Sequence, residues 1–170
     1  EEKGGNPVPV FLMPYAGEIT GSIGVKRVLS EHLTRDGKPV LDAIIETMSF
    51  SQTLVANPGS GEQVSDDNFF DTYGVPVIQS MTLVANEESW RADEFGLNPA
   101  EIAYDIVHPE FDGQIISVAN ASTERDVDGA RYHSSIRDRA LRVADTAVMW
   151  GRLRMKANAD RKVAIILYMY

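Results

Sequence analysis

The sequence contains no cysteine. That absence removes disulfides, thiolate metal sites and thiol nucleophiles together. Basic residues are scarce: 16 Lys and Arg stand against 25 Asp and Glu, for a net charge of -9. Affinity for a phosphate backbone is built from Lys and Arg, so this balance argues against a nucleic-acid partner. Long hydrophobic runs are missing as well. Residues 163–167 form one of the longest, far short of the roughly 20 apolar residues that a membrane span requires. The opening Glu1-Glu2-Lys3-Gly4-Gly5 has no basic start followed by an apolar region, so no secretory leader is read there, and it is the lack of cysteine that fits a cytoplasmic chain. The Walker loop, the dinucleotide G-x-G-x-x-G, the G-x-S-x-G elbow and His-Glu-x-x-His are all absent. Hydrolase readings therefore have little support, and any ATP is expected on another chain.

What is present is an ordinary globular composition. Hydrophobic residues make up 44% and charged residues 24% of 170 positions, enough for one domain with a real core. Residues 8–13 form an apolar run flanked by prolines, consistent with a strand. A glycine-bearing loop follows at 15–24, either a phosphate cradle or a plain tight turn that uses Gly for positive φ. From Ser22, the positions Val25, Val28, Leu29 and Leu33 recur at helical spacing as far as Gly37, and His32, on the same stripe, reads as a packed histidine. Residues 39–47 are a second strand candidate, 57–61 a flexible loop, 66–73 a short helix and 75–80 a third strand. Strands alternating with helices predict an α/β fold with a mostly parallel sheet. Working loops then lie at the carboxyl ends of the strands, here 15–22, 50–65, 80–91 and 118–134.

The most informative stretch is 74–113. It holds Val75-Pro76-Val77 with Gln79, then Glu87-Glu88 with Trp90, then Gly96-Leu97-Asn98-Pro99, and finally His108-Pro109-Glu110-Phe111-Asp112-Gly113. Glu87 and Glu88 either begin a helix, where the dipole favours acids, or join Trp90 in a ligand contact. Asn98-Pro99 opens a helix with Ile102, Ala103, Ile106 and Val107 as its buried stripe, and the helix is expected to stop before Pro109. In an extended turn, residues 108, 110 and 112 share one side. His, Glu and Asp so placed can bind a hard cation or move protons; alternatively Asp112 makes an Asx turn and Glu110 only caps.

Further on, 114–118 reads as a strand and 119–134 as a long polar connection. Asn120-Ala121-Ser122 fits a glycosylation sequon and, without a leader, is given no role. Arg131, His133, Arg137, Arg139 and Arg142 gather positive charge ahead of and within an amphipathic helix whose apolar face is Ile136, Ala140, Val143, Ala144, Ala147, Val148 and Trp150. These arginines are either a solvated face paired with the chain's own acids or partners for ligand carboxylates. Residues 162–170 read as a buried strand without a cap or tail, which points to an internal fragment of a longer protein.

The ordered pieces of 74–113, continued by Trp150-Gly151-Arg152-Leu153 and the run 162–168, resemble the large subunit of the ATP-dependent tetrapyrrole metal chelatases of cobalt and magnesium. Phe111 stands where that family more often has Leu, and His108 where an apolar residue is usual, so His108 inherits no ligand role. The resemblance implies a Rossmann-like (flavodoxin-like) three-layer domain, with residues 1–170 a single α/β piece of a much longer subunit. It implies insertion of a divalent metal, Co2+ or Mg2+, into a porphyrin or corrin precursor, with ATP hydrolysed by AAA+ partner subunits. Glu110 and Asp112 become the candidate catalytic carboxylates; Trp90, Glu88, Arg131 and Arg137 become candidate contacts to the tetrapyrrole, and no metal ligand is assigned. The competing reading is a non-catalytic α/β module for ligand binding or docking.

Overall fold

The computed structural model describes residues 2–11, 25–51 and 69–167. The loops at 15–24 and 57–61, residues 66–68 and residues 168–170 lie outside this set. Among the described residues no helix is long and apolar enough to cross a membrane.

Helix α1, Val25–Glu31, buries Val28 and Leu29 and stops six residues before Gly37. It ends early because Asp36 and Gly37, both at positive φ (50° and 70°), turn the chain between two short strands, β1 (Thr34–Arg35) and β2 (Lys38–Pro39). Asp-Gly is a favoured pair for such a hairpin turn. His32 therefore lies in the turn after α1 and is exposed rather than packed. Val8, Val10 and Phe11 are likewise exposed and belong to no strand, since Pro7 and Pro9 cannot donate to a ladder.

The central sheet has four strands in the order β3 (Ile44–Glu46), β4 (Val77–Thr82), β5 (Ile115–Arg125) and β6 (Arg131–Ser135). The first three are parallel and β6 is antiparallel to β5. The register shifts twice between Gln79 and Thr82, which curls the sheet. The fold is thus mixed α/β with a mostly parallel sheet. The 119–134 connection is instead the second half of β5, a turn and β6. Asp126 accepts from the N–H groups of Asp128 (3.0 Å) and Ala130 (2.8 Å), and Gly129 adopts φ 83°, so polar residues build the turn rather than an open loop. The Thr123 hydroxyl donates to the Leu83 carbonyl at 2.7 Å, which fastens a polar stretch to the sheet.

One face is covered by α6, Arg137–Arg154, which runs along β5 and reaches β4 and β3. Val143 is its buried apolar contact, and at Gly151 an added Cβ would come within 3.1 Å of the Asp42 Cβ. Gly in a helix interior costs about 1 kcal/mol against Ala, here in exchange for close approach to the segment leading into β3. The chain also forms α2 (Phe69–Tyr73), α3 (Glu87–Ala92), whose Arg91 and Trp90 meet Asp138 and Arg139 at the start of α6, and the helical segment after Asn98. One core cluster joins Met81, Leu83, Ala119 and Ile136; a second joins Leu29, Phe70 and Val77. Residues 162–167 are not a buried strand: Val163, Ile165, Ile166 and Leu167 are at least 79% exposed. An apolar run records the need for a partner strand, and no described residue supplies one.

Candidate functional site

The site is built around the segment from Asn98 to Gln114. Asn98 caps α4 (Pro99–Ile102) in a reciprocal box: its side chain accepts from Glu101 N–H at 3.0 Å, and Glu101 accepts from Asn98 N–H at 2.9 Å. Glu101 also accepts from Val84 N–H at 2.8 Å, which ties the helix start to the end of β4.

The helix does not stop before Pro109. It passes through a π-helical turn, Ala103–Val107, into α5, His108–Phe111. In the π turn His108 N–H donates to the Ala103 carbonyl. The next donor in that register would serve the Tyr104 carbonyl, but position 109 is proline and has none. Phe50 N–H takes that carbonyl instead, at 2.8 Å. Phe50 holds φ 73°, uncommon for a bulky residue, and its ring lies 4.6 Å from Tyr104 and 6.0 Å from His108. Ser49 adds a hydrogen bond to Asp105 at 2.6 Å. Burial raises the Asp105 carboxyl above its usual range, the Ser49 bond opposes this and the nearby Glu101 adds to it. Proline inside a helix thus becomes the seam that fastens residues 49–51 to it.

Because 108–111 is helical, residues 108, 110 and 112 do not share a side as an extended turn would have them. Glu110 is exposed, His108 half-buried with Nδ1 lacking a hydrogen-bond partner, and Asp112 only 1% exposed. Gly113 at φ 70° closes the helix, with its N–H on the Glu110 carbonyl and Gln114 N–H on that of Pro109. Asp112 accepts from the hydroxyl of Ser51, 61 positions away, at 2.6 Å, and from the side-chain amide of Gln114, two positions on, at 3.4 Å.

Asp112 has buried company that the sequence reading missed. The β3, β4 and β5 registers place Glu46 beside Gln79 and Gln79 beside Ile116, which puts these side chains on one face of the sheet. Gln114, just ahead of β5, lies near Asp112 by the bond above. Burial raises the Glu46 carboxyl, the Met48 and Thr47 N–H groups oppose this, and the Asp112 charge raises it further. Gln79 donates to the Met48 carbonyl at 3.2 Å. Its own Oε1 and that of Gln114 are buried without a hydrogen-bond partner. The signal that could have found these residues is polarity inside apolar strands: Glu46 after Ile44-Ile45, Gln79 after Ile78, Gln114 before Ile115-Ile116.

The candidate tetrapyrrole contacts lie elsewhere. Trp90, on α3, is half-buried against the Met81–Leu83 cluster, with the Arg139 and Arg91 guanidinium groups 5.0 and 5.6 Å from its ring centre. With Asp93, Phe95 and Gly96 they line a shallow cleft of about 350 Å3. Glu88 is exposed on α3, whereas Glu87 binds Arg91 at 2.8 Å. Arg131 is exposed on the edge strand β6. Arg137 pairs with Glu2 at 2.8 Å and lines a separate cleft of about 260 Å3 with Lys3, Ser135 and Leu141. Neither cleft is lined by Glu110 or Asp112. Among the described residues no group of three or more His, Asp or Glu side chains converges as a metal site.

Comparison with known proteins extends over the whole chain. A family model described as CobN/Magnesium Chelatase matches residues 1–170. An uncharacterized protein of Methanocaldococcus jannaschii is 33% identical over 177 residues, which is 100% of this chain and 14% of that protein. The magnesium-chelatase subunit ChlH of Oryza sativa subsp. japonica is 27% identical over 171 residues, 100% of this chain and 12% of the subunit. The catalytic subunit of cobaltochelatase from Mycobacterium tuberculosis superposes on 81% of this chain and 12% of its own, with a TM-score of 0.64 and 30% identity. The chain spans about one seventh of the length of the first of these relatives. Matched from end to end by one family model, the chain belongs to the CobN/magnesium chelatase family.

Proposed function

We propose that residues 1–170 form a single Rossmann-like, three-layer piece of the large, tetrapyrrole-holding subunit of a cytoplasmic metal chelatase. The subunit would insert Co2+ or Mg2+, as substrate, into a porphyrin or corrin precursor while AAA+ partner subunits hydrolyse ATP. The observation that supports this most is the family match across the full chain, joined by the superposition on a cobaltochelatase catalytic subunit.

Insertion of a divalent metal forms metal–nitrogen bonds as two pyrrole N–H protons leave. A carboxylate beside the macrocycle is a reasonable acceptor. Glu110 has that role in this reading: it is exposed at the end of a helix that a capping box, the Phe50 bond and the Gly113 turn hold in place. Asp112, fixed by Ser51 and Gln114, orients the turn that presents Glu110. Trp90, in its cleft on α3 with Glu88 exposed on the same helix, would offer a flat face to the ring, while Arg131 on the edge strand and Arg137 in its separate cleft would offer charge to carboxylate arms.

The test uses the full-length subunit with its ATPase partners. Binding of a soluble tetrapyrrole is followed by the shift of its absorption band, and metal insertion by the product spectrum. Glu110→Gln is expected to bind the tetrapyrrole as wild type does and to insert metal at least about 100-fold more slowly, the scale of a lost proton acceptor. Insertion at the wild-type rate would remove Glu110 from the chemistry, and no tetrapyrrole binding by wild type would leave the non-catalytic module as the reading.

A further inference from the structure

The two ends of α6 carry opposite charge. From its last turn onward, residues 152–162 hold five Lys and Arg to one Asp, in a chain whose net charge is -9. Arg161 donates to the Lys156 carbonyl at 3.0 Å and to the Arg154 carbonyl at 3.2 Å, which folds the chain back on the helix end and gathers the cations there. Arg152, Lys156 and Lys162 are exposed and, among the described residues, form no ion pair. Met149 and Trp150 each lie within one turn of Leu153, and all three are exposed beside these cations. The other end of α6 meets α3, where Arg91 lies 3.7 Å from Asp138. There residues 87–94 hold four acids to one Arg, and Glu88, Asp93 and Glu94 form no ion pair among the described residues. Arg137 at that end is taken up by Glu2, and Arg139 by Asp138 and the Trp90 ring. Phe95, whose N–H donates to Asp93 at 2.9 Å, stands 91% exposed at the lip of the Trp90 cleft.

We propose that these two ends dock a second copy of the chain, placed antiparallel along α6, with the basic end of each copy receiving the acidic 87–95 turn of the other. The 18 residues of α6 set the two ends about 27 Å apart. A two-fold axis across the helix then makes the same contact twice, as a closed dimer requires. Charge names the partner, because both halves of the complementary pair stand on one chain. Apolar groups match as well: Phe95 enters among Met149, Trp150 and Leu153, and the carboxylates around it meet the cations around them. An aromatic anchor in an apolar centre with a charged rim is the usual anatomy of such an interface. The inference goes beyond the chelatase reading and needs neither tetrapyrrole nor ATPase.

Sedimentation velocity of the full-length protein over a range of concentration and salt tests it. Wild type is expected to form a dimer that weakens as salt rises. Two charge reversals, Arg152→Glu with Lys156→Glu and Glu88→Lys with Glu94→Lys, should each weaken the dimer by about tenfold or more, because each sets like charges together at both contacts. An equal mixture of the two variants pairs every reversed end with its opposite, and it should dimerise about as well as wild type. Phe95→Ser should weaken the dimer about tenfold at high and low salt alike, with little risk to folding because the ring is exposed. A protein that stays monomeric at every concentration overturns the proposal. So does a dimer that neither reversal weakens, or a mixture of the two variants that fails to restore it.

Discussion

The buried polar cluster at the 112–114 turn and the cleft at Trp90 adjoin the same curled sheet, yet they are held by different physics. In the first, Ser51, Asp112 and Gln114 are buried and joined by hydrogen bonds. In the second, two arginines lie over a half-buried indole whose rim is open to solvent. Buried polar contacts are costly to break singly, because the partner left behind stays desolvated; exposed cation–ring contacts are worth less and are screened. The five residues from Pro109 to Gly113 divide along that line, with Asp112 turned into the interior and Glu110 out to solvent.

The comparison breaks first at Asp112. Asp112→Ala takes away the acceptor of the Ser51 hydroxyl and of the Gln114 amide inside the fold, and a loss of about 3 kcal/mol is expected in chemical denaturation. Glu110→Ala, two residues away, is expected to change stability by no more than about 0.5 kcal/mol. Similar losses for the two would mean that the turn does not separate an inner from an outer carboxylate.

At the cleft, Trp90→Ala removes a ring that packs on the Met81–Leu83 cluster, and a loss of about 2 kcal/mol is expected because the ring is only half-buried. Arg139→Ala removes the nearer cation, with an expected loss of about 0.5–1 kcal/mol that falls in high salt. A salt-independent loss of Trp90 size would show that Arg139 contributes through the packing of its stem instead.

How far the sequence reveals these regions depends on how local the cause is. The helix start at Asn98-Pro99 is legible, because a cap and a proline at the first helical position act within four residues. Passage through Pro109 is not legible, because the group that relieves it, Phe50 N–H, is more than fifty residues away in the chain. The polar stretch 119–125 looks like a loop, since Ser122 and Thr123 find their partners only when Glu124 and the Leu83 carbonyl come alongside. The run 163–167 shows the converse, a strand-like pattern without a described partner. Glu46 and Gln79 each sit beside apolar residues in sequence, and only the parallel register brings them to one face.

The smallest expected effect tests the seam between the two regions. Asp105, held by Ser49, has its carboxyl raised by burial in the folded chain, so folding favours its protonated form. The sign follows from linkage: this contribution to stability is fully present below the unfolded value of about 3.9 and is lost as pH rises through the raised folded value. Asp105→Asn can still accept from Ser49 and does not titrate. The stability difference, variant minus wild type, is therefore expected to grow as pH rises across that window and to stay level above it. Glu46 titrates in both proteins and cancels from the difference. A flat difference across the acid range would mean that the buried Asp105 carboxyl keeps its ordinary affinity for protons, the Ser49 bond offsetting burial at the seam.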